Sequence, residues 1–139
     1  MTLTYADTLG KHNLPVPEGL AEIEVPVLTG PQAQGDVAWW PRPPLGAAEL
    51  ESFTPVPAEG VVIVRGTNDH ILDAYQGTVL WKALDPRAGD VTIGILHVPG
   101  TAVAYVTHTE EHTTNGIGPG TYRVTGKREM ADEIRRVAD

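Results

Sequence analysis

Cysteine is absent from the 139 residues, and serine occurs once, at Ser52. The first absence excludes disulfide staples, thiolate zinc sites, iron–sulfur clusters and cysteine nucleophiles. The second leaves serine chemistry unsupported, because Ser52 sits in a proline-rich stretch with no nucleophile-elbow motif around it. Basic residues are scarce: 10 Lys plus Arg stand against 18 Asp plus Glu, a formal net charge of −8. That balance opposes non-specific binding to nucleic acid or to an anionic membrane, while leaving room for a local basic patch. No run approaches the ~18 apolar residues of a membrane span. The opening MTLTYADTLGKHNL lacks the basic-then-apolar order of a secretion signal.

What the chain does have is 12 prolines and 15 glycines, both of which break helices and mark turns. Nine of the prolines fall within residues 1–59. The expected division is therefore an extended, Pro-rich arm at 1–56 and a β domain at 57–139. In the arm, Ile23, Val25 and Val27 alternate with Glu22, Glu24 and Pro26, which predicts a short edge strand. A second strand is expected near Asp36–Trp40, ending where Pro41-Arg42-Pro43-Pro44 imposes polyproline-like geometry. One helical turn is expected within 46–52.

The second part reads as strand and turn. Val61–Val64 is an apolar run of strand length, and His70–Tyr75 and Thr78–Leu84 read as partners across Gln76-Gly77. The clearest hairpin joins Val91–Leu96 to Ala102–His108 through Pro99-Gly100. Thr113–Gly120 reads as a glycine-rich loop before a last strand at Thr121–Val124. At 127–139, Met130, Ile134 and Val137 fall at i, i+4 and i+7 and predict a short amphipathic helix packed as a lid. The expected fold is mainly β, a small antiparallel sandwich or barrel resembling a cupin in outline.

The segment His108-Thr109-Glu110-Glu111-His112 carries the main chemical signal. If it continues a strand, His108, Glu110 and His112 share one face. Two imidazoles and a carboxylate suit a divalent ion, and His70 on another strand could add a ligand. Against this, i, i+2 and i+4 positions splay widely along a strand, and a solvated strand end is the simpler reading. His97 reads as a surface residue and His12 carries no argument. Trp39 and Trp40 are adjacent and so face opposite ways; one is expected in the core, the other free to cover a partner.

Residues 57–139 resemble a family of short proteins from actinobacteria and their phages. The resemblance rests on Pro57–Gly66, His70, Gly118-Pro119-Gly120-Thr121-Tyr122-Arg123-Val124, Arg128-Glu129 and Asp132–Asp139. It implies histidine at the position of His70 and within 108–112, and no particular activity. With neither a secretion signal nor a membrane span read from the sequence, the expected location is cytoplasmic, or the virion if the chain is phage-encoded.

Three functional expectations follow. The first is a non-catalytic binding module that takes a divalent metal or small ligand at His70, His108, Glu110 and His112. The second is a structural or assembly protein, such as a virion component, whose N-terminal arm contacts a protein partner or another copy in a homo-oligomer. The third is a metal-dependent enzyme.

Overall fold

The computed structural model describes residues 2–65, 69–85 and 90–126. The expected C-terminal helix at 127–139 lies outside them. In chain order the elements are α1 (Tyr5–Lys11), β1 (Val27–Leu28), β2 (Gln32–Gln34), β3 (Val37–Arg42), α2 (Ala47–Leu50), β4 (Thr54–Pro55), β5 (Val61–Val64), β6 (His70–Gln76), β7 (Leu80–Ala83), β8 (Thr92–Val98), β9 (Val103–His108), β10 (Thr113–Ile117) and β11 (Gly120–Thr125).

The strands form two sheets, one ordered β1-β10-β9-β6-β5 and the other β2-β3-β11-β8-β7-β4. The architecture is a β-sandwich, with no closed barrel. All pairings are antiparallel except β1 with β10. Trp39, Trp81, Tyr122, Leu72, Leu96 and Ile117 fill the space between the sheets. Burying such side chains supplies about 1.5–3 kcal/mol each.

The Pro-rich segment is part of this domain. β1 and β2 form the edges of the two sheets on one side of the sandwich, and β3 pairs with β11 from Trp39↔Val124 to Arg42↔Thr121. Hydrogen bonding therefore runs straight across the expected division at 56 and 57. β3 tolerates Pro41 because β2 has already ended at the Gln32↔Trp39 pair, leaving one side of β3 open. Gly35 and Asp36 make the two-residue β2–β3 turn. Gly35 has φ +56 at the first central position, as a type II′ hairpin requires.

Residues 3–25 lie against the outer face of the five-stranded sheet. Helix α1 starts with a reciprocal capping box: Thr4 Oγ1 accepts from the Asp7 amide, and Asp7 Oδ2 accepts from the Thr4 amide. Its Leu9 is fully buried, and Leu3 and Val25 pack with Tyr105.

Other expectations change as well. The two expected hairpins do not form: β6 and β7 lie in different sheets, and so do β8 and β9, so the chain crosses the sandwich after Gln76 and again at Pro99-Gly100 instead of folding back within one sheet. Thr113–Ile117 is a strand, β10, rather than the start of a glycine-rich loop. Gly116 is what allows it to accept β1, since a Cβ there would lie 2.6 Å from the Pro26 carbonyl oxygen. The chain then crosses to the other sheet at Gly118-Pro119, and Tyr122 Oη donates back to the Gly118 carbonyl at 2.9 Å. That is the geometry of a tyrosine corner.

Candidate functional site

His70 and His108 meet at one end of the sandwich interior, on neighbouring strands and in register. Their rings are perpendicular, with centroids 4.5 Å apart. Both are buried. Gln34 reaches them from the opposite sheet. Its Nε2 donates to the Val106 carbonyl at 2.8 Å and to Asn115 Oδ1 at 2.9 Å. Asn115 Nδ2 donates to Gln32 Oε1, and Gln32 Nε2 donates to the Gly116 carbonyl.

The carbonyls at the ends of this chain fix every amide orientation in it, because a carbonyl can only accept. Gln34 Oε1 therefore faces His70 Nδ1, 2.9 Å away, and Nδ1 is the donor. In neutral His70 the bare nitrogen is Nε2. His108 is the opposite tautomer: its Nδ1 accepts from the Glu111 amide at 3.0 Å, so its proton sits on Nε2. Burial, and next the neighbouring His108, hold the His70 pKa down to about 4, against weaker upward pulls from Asp36 and Asp69.

Glu110 and His112 do not extend a histidine-bearing face. β9 ends at His108, and residues 109–112 turn the chain into β10. His112 takes φ +52 in that turn, and Glu110 is exposed. Strand parity stops where the ladder stops, so the i, i+2, i+4 spacing no longer places these side chains together. Among the described residues, no group of three or more His, Asp or Glu is arranged to hold a metal ion.

A second polar assembly sits on the outer face of the same sheet. Asp73, fully buried in β6, accepts from His12 Nε2 at 2.6 Å, and Lys11 Nζ stands 2.8 Å from its other oxygen. The ammonium pairs by charge but is not aligned as a donor, so that oxygen lacks a hydrogen bond among the described residues. Tyr105 lies beside the carboxylate, its pKa raised by burial and then by Asp73. Thr8 Oγ1 meets Thr114 Oγ1 at 2.8 Å nearby. These contacts tie α1 and the residue after it to the sheet, and the carboxylate is closed off beneath them.

Among the described residues, the outer face of the six-stranded sheet gathers cationic and aromatic side chains on one surface. Register places Trp40 beside Arg123, Arg123 beside Ile95, and Ile95 beside Lys82. Residues in register share a face, so these four form one row across β3, β11, β8 and β7. Arg42 occupies the next row, beside Thr121 and His97. Trp40 is 46% exposed, against 0% for Trp39 on the core side. Hydrogen bonds position the row: Trp40 Nε1 to Thr125 Oγ1, Arg123 to Thr92 Oγ1, and Lys82 Nζ to Ser52 Oγ. Next to it, under α2, a groove of about 250 Å³ is lined by Arg42, Lys82, Phe53 and Ile95, among others. Of the five Lys and Arg among the described residues, three stand on this face. None of the three pairs with a carboxylate among those residues.

A family model described as Domain of unknown function (DUF8820) matches residues 33–127. The chain belongs to this family. No curated protein and no solved structure matches it. The DUF8820 segment contains His70, His108, Gln34 and Asn115 as well as the whole Trp40–Arg123–Ile95–Lys82 row. It excludes α1, His12 and the strip before β2.

Sequence reasoning paired His70 with His108 but missed their partner Gln34, Asp73, and the basic row. Asp73 did leave a signal, as a lone carboxylate inside the apolar strand His70–Tyr75. The row left only half of one, in the opposed facing of Trp39 and Trp40.

Proposed function

We propose that this DUF8820 chain is a non-catalytic binding module whose partner is an acidic protein surface, bound on the outer face of the six-stranded sheet. The observation that carries this reading is the alignment of Trp40, Arg123 and Lys82 in one row, with Arg42 alongside, in a chain of net charge −8. Three cations gathered on one face of an acidic protein make a local field that selects for carboxylates. The exposed indole beside them supplies the apolar contact that binding hot spots favour.

A divalent-metal site at His70, His108, Glu110 and His112 is less well supported. Of those four, the first two are adjacent, and His70 Nδ1 and His108 Nδ1 are already engaged.

The test is calorimetric titration with a peptide alternating glutamate and leucine, at low salt and at about 0.5 M NaCl. Binding should weaken at high salt and fall about tenfold or more in an Arg42→Glu, Arg123→Glu variant. Equal affinity of the variant and the wild type, or no binding at low salt, overturns the reading. Zinc titration of the same protein tests the metal alternative.

A further inference from the structure

The exposed large apolar residues of the described chain are Ile23, Val27, Leu28 and Trp40. They fall into two patches of opposite electrostatic character. Trp40 stands among Arg42, Arg123 and Lys82 on the six-stranded sheet. Ile23, Val27 and Leu28 belong to the strip 18–28, Glu-Gly-Leu-Ala-Glu-Ile-Glu-Val-Pro-Val-Leu, where Glu18, Glu22 and Glu24 are also exposed. This strip runs along the five-stranded sheet and ends at its edge strand β1. Its inner side is anchored, with Val25 fully buried and its amide donating to the Leu3 carbonyl at 2.8 Å. It is thus a held, outward-facing ridge of alternating carboxylates and apolar side chains.

Each patch has what the other lacks. The sandwich core lies between the strip's sheet and the outer face that bears Trp40, so one copy cannot bring them together. Two copies can. We infer that the occupant of the Trp40–Arg123 face is the 18–28 strip of a second copy of this chain. The inference rests on the binding-face reading above and names its partner. Because the two patches differ and lie on opposite sides of the core, the contact is head-to-tail, and a joined pair keeps one free strip and one free face for further copies. The chain is then a unit of a ring or an open filament, and its association is driven by charge and apolar contact together. Carboxylates at 22 and 24 would oppose the guanidinium groups at 42 and 123, with Ile23 or Leu28 against Trp40.

The test uses two full-length variants, Glu22→Lys/Glu24→Lys and Arg42→Glu/Arg123→Glu. Near-UV circular dichroism confirms that each folds. By light scattering after size exclusion, the wild type should grow in mass with concentration at low salt and shrink toward the 14.9 kDa protomer at about 0.5 M NaCl. Each variant alone should remain a protomer. Mixed together, they should give a discrete species of twice the protomer mass, since one retains only the face and the other only the strip. A wild type that stays monomeric at all concentrations overturns the inference. So does wild-type association that both variants retain. If the wild type is monomeric yet the acidic peptide binds and the Arg42→Glu/Arg123→Glu variant does not, self-recognition fails while the binding-face reading stands. If neither the peptide nor a second copy binds, both fall.

Discussion

The His70 imidazole stands edge-on to that of His108, with ring centroids 4.5 Å apart and planes at 83°. The two rings carry their protons on different nitrogens, His70 on Nδ1 and His108 on Nε2, because Gln34 and the Glu111 amide impose opposite roles on them. Protonating His70 at Nε2 would put a buried charge beside another imidazole. This is why its pKa lies near 4.

Acid stability should reflect that cost. The folded pKa is depressed from 6.5 to about 4, so the unfolded chain takes up the proton first. The contribution of neutral His70 is complete above pH ~6.5, declines as pH falls toward 4, and amounts at most to about 3 kcal/mol. Urea midpoints measured at pH 7 and pH 4.5 should fall more steeply for the wild type than for His70→Gln. Parallel pH profiles for the two proteins would contradict this.

Removing the Asp73 carboxylate should release the N-terminal segment before the sandwich unfolds. Asp73 is fully buried against His12 and Lys11. Breaking such a set costs about 3 kcal/mol, less whatever the part-exposed lysine recovers from water. Asp73→Ala should be cut by a protease between residues 12 and 24 well before the wild type is. Unchanged cleavage would show that apolar packing of Leu3, Leu9 and Val25 alone holds the segment.

Gly94 should not accept a side chain. A Cβ at that position would fall onto the Trp81 ring, beneath the centre of the six-stranded sheet. Gly94→Ala is expected to cost about 3 kcal/mol, because a packed core cannot yield that volume without moving strands. Thermal unfolding reads the effect directly. A melting temperature like that of the wild type would mean that Trp81 has a second rotamer with room to spare.

Tyr122→Phe should destabilise by about 1–2 kcal/mol while leaving the core filled. The hydroxyl donates to the Gly118 carbonyl at the crossing from β10 to β11, and its removal leaves that carbonyl short of a donor. Chemical denaturation measures the loss. Stability equal to the wild type would show that Gly118-Pro119 makes the crossing without the corner.

Local rules determined part of this protein. The wealth of proline and glycine excluded a helical fold, and strand parity set Trp39 and Trp40 on opposite faces, since alternation depends only on the backbone of the same segment, while the packing of the sheets decided that Trp39 is the inner one. Strand runs such as Val61–Val64 and Val103–His108 were legible for the same reason. The tertiary structure decided what lies beyond one segment. β10 exists because β1 and β9 flank it, and the expected His108–Glu110–His112 face dissolved because the ladder ends at His108. Gln34 reaches His70 across 36 positions of sequence, Asp73 meets His12 across 61, and Trp40 joins Arg123 through a β3–β11 register. Such meetings depend on how distant strands align, and that alignment is set by the packing of the whole core rather than by the residues that meet.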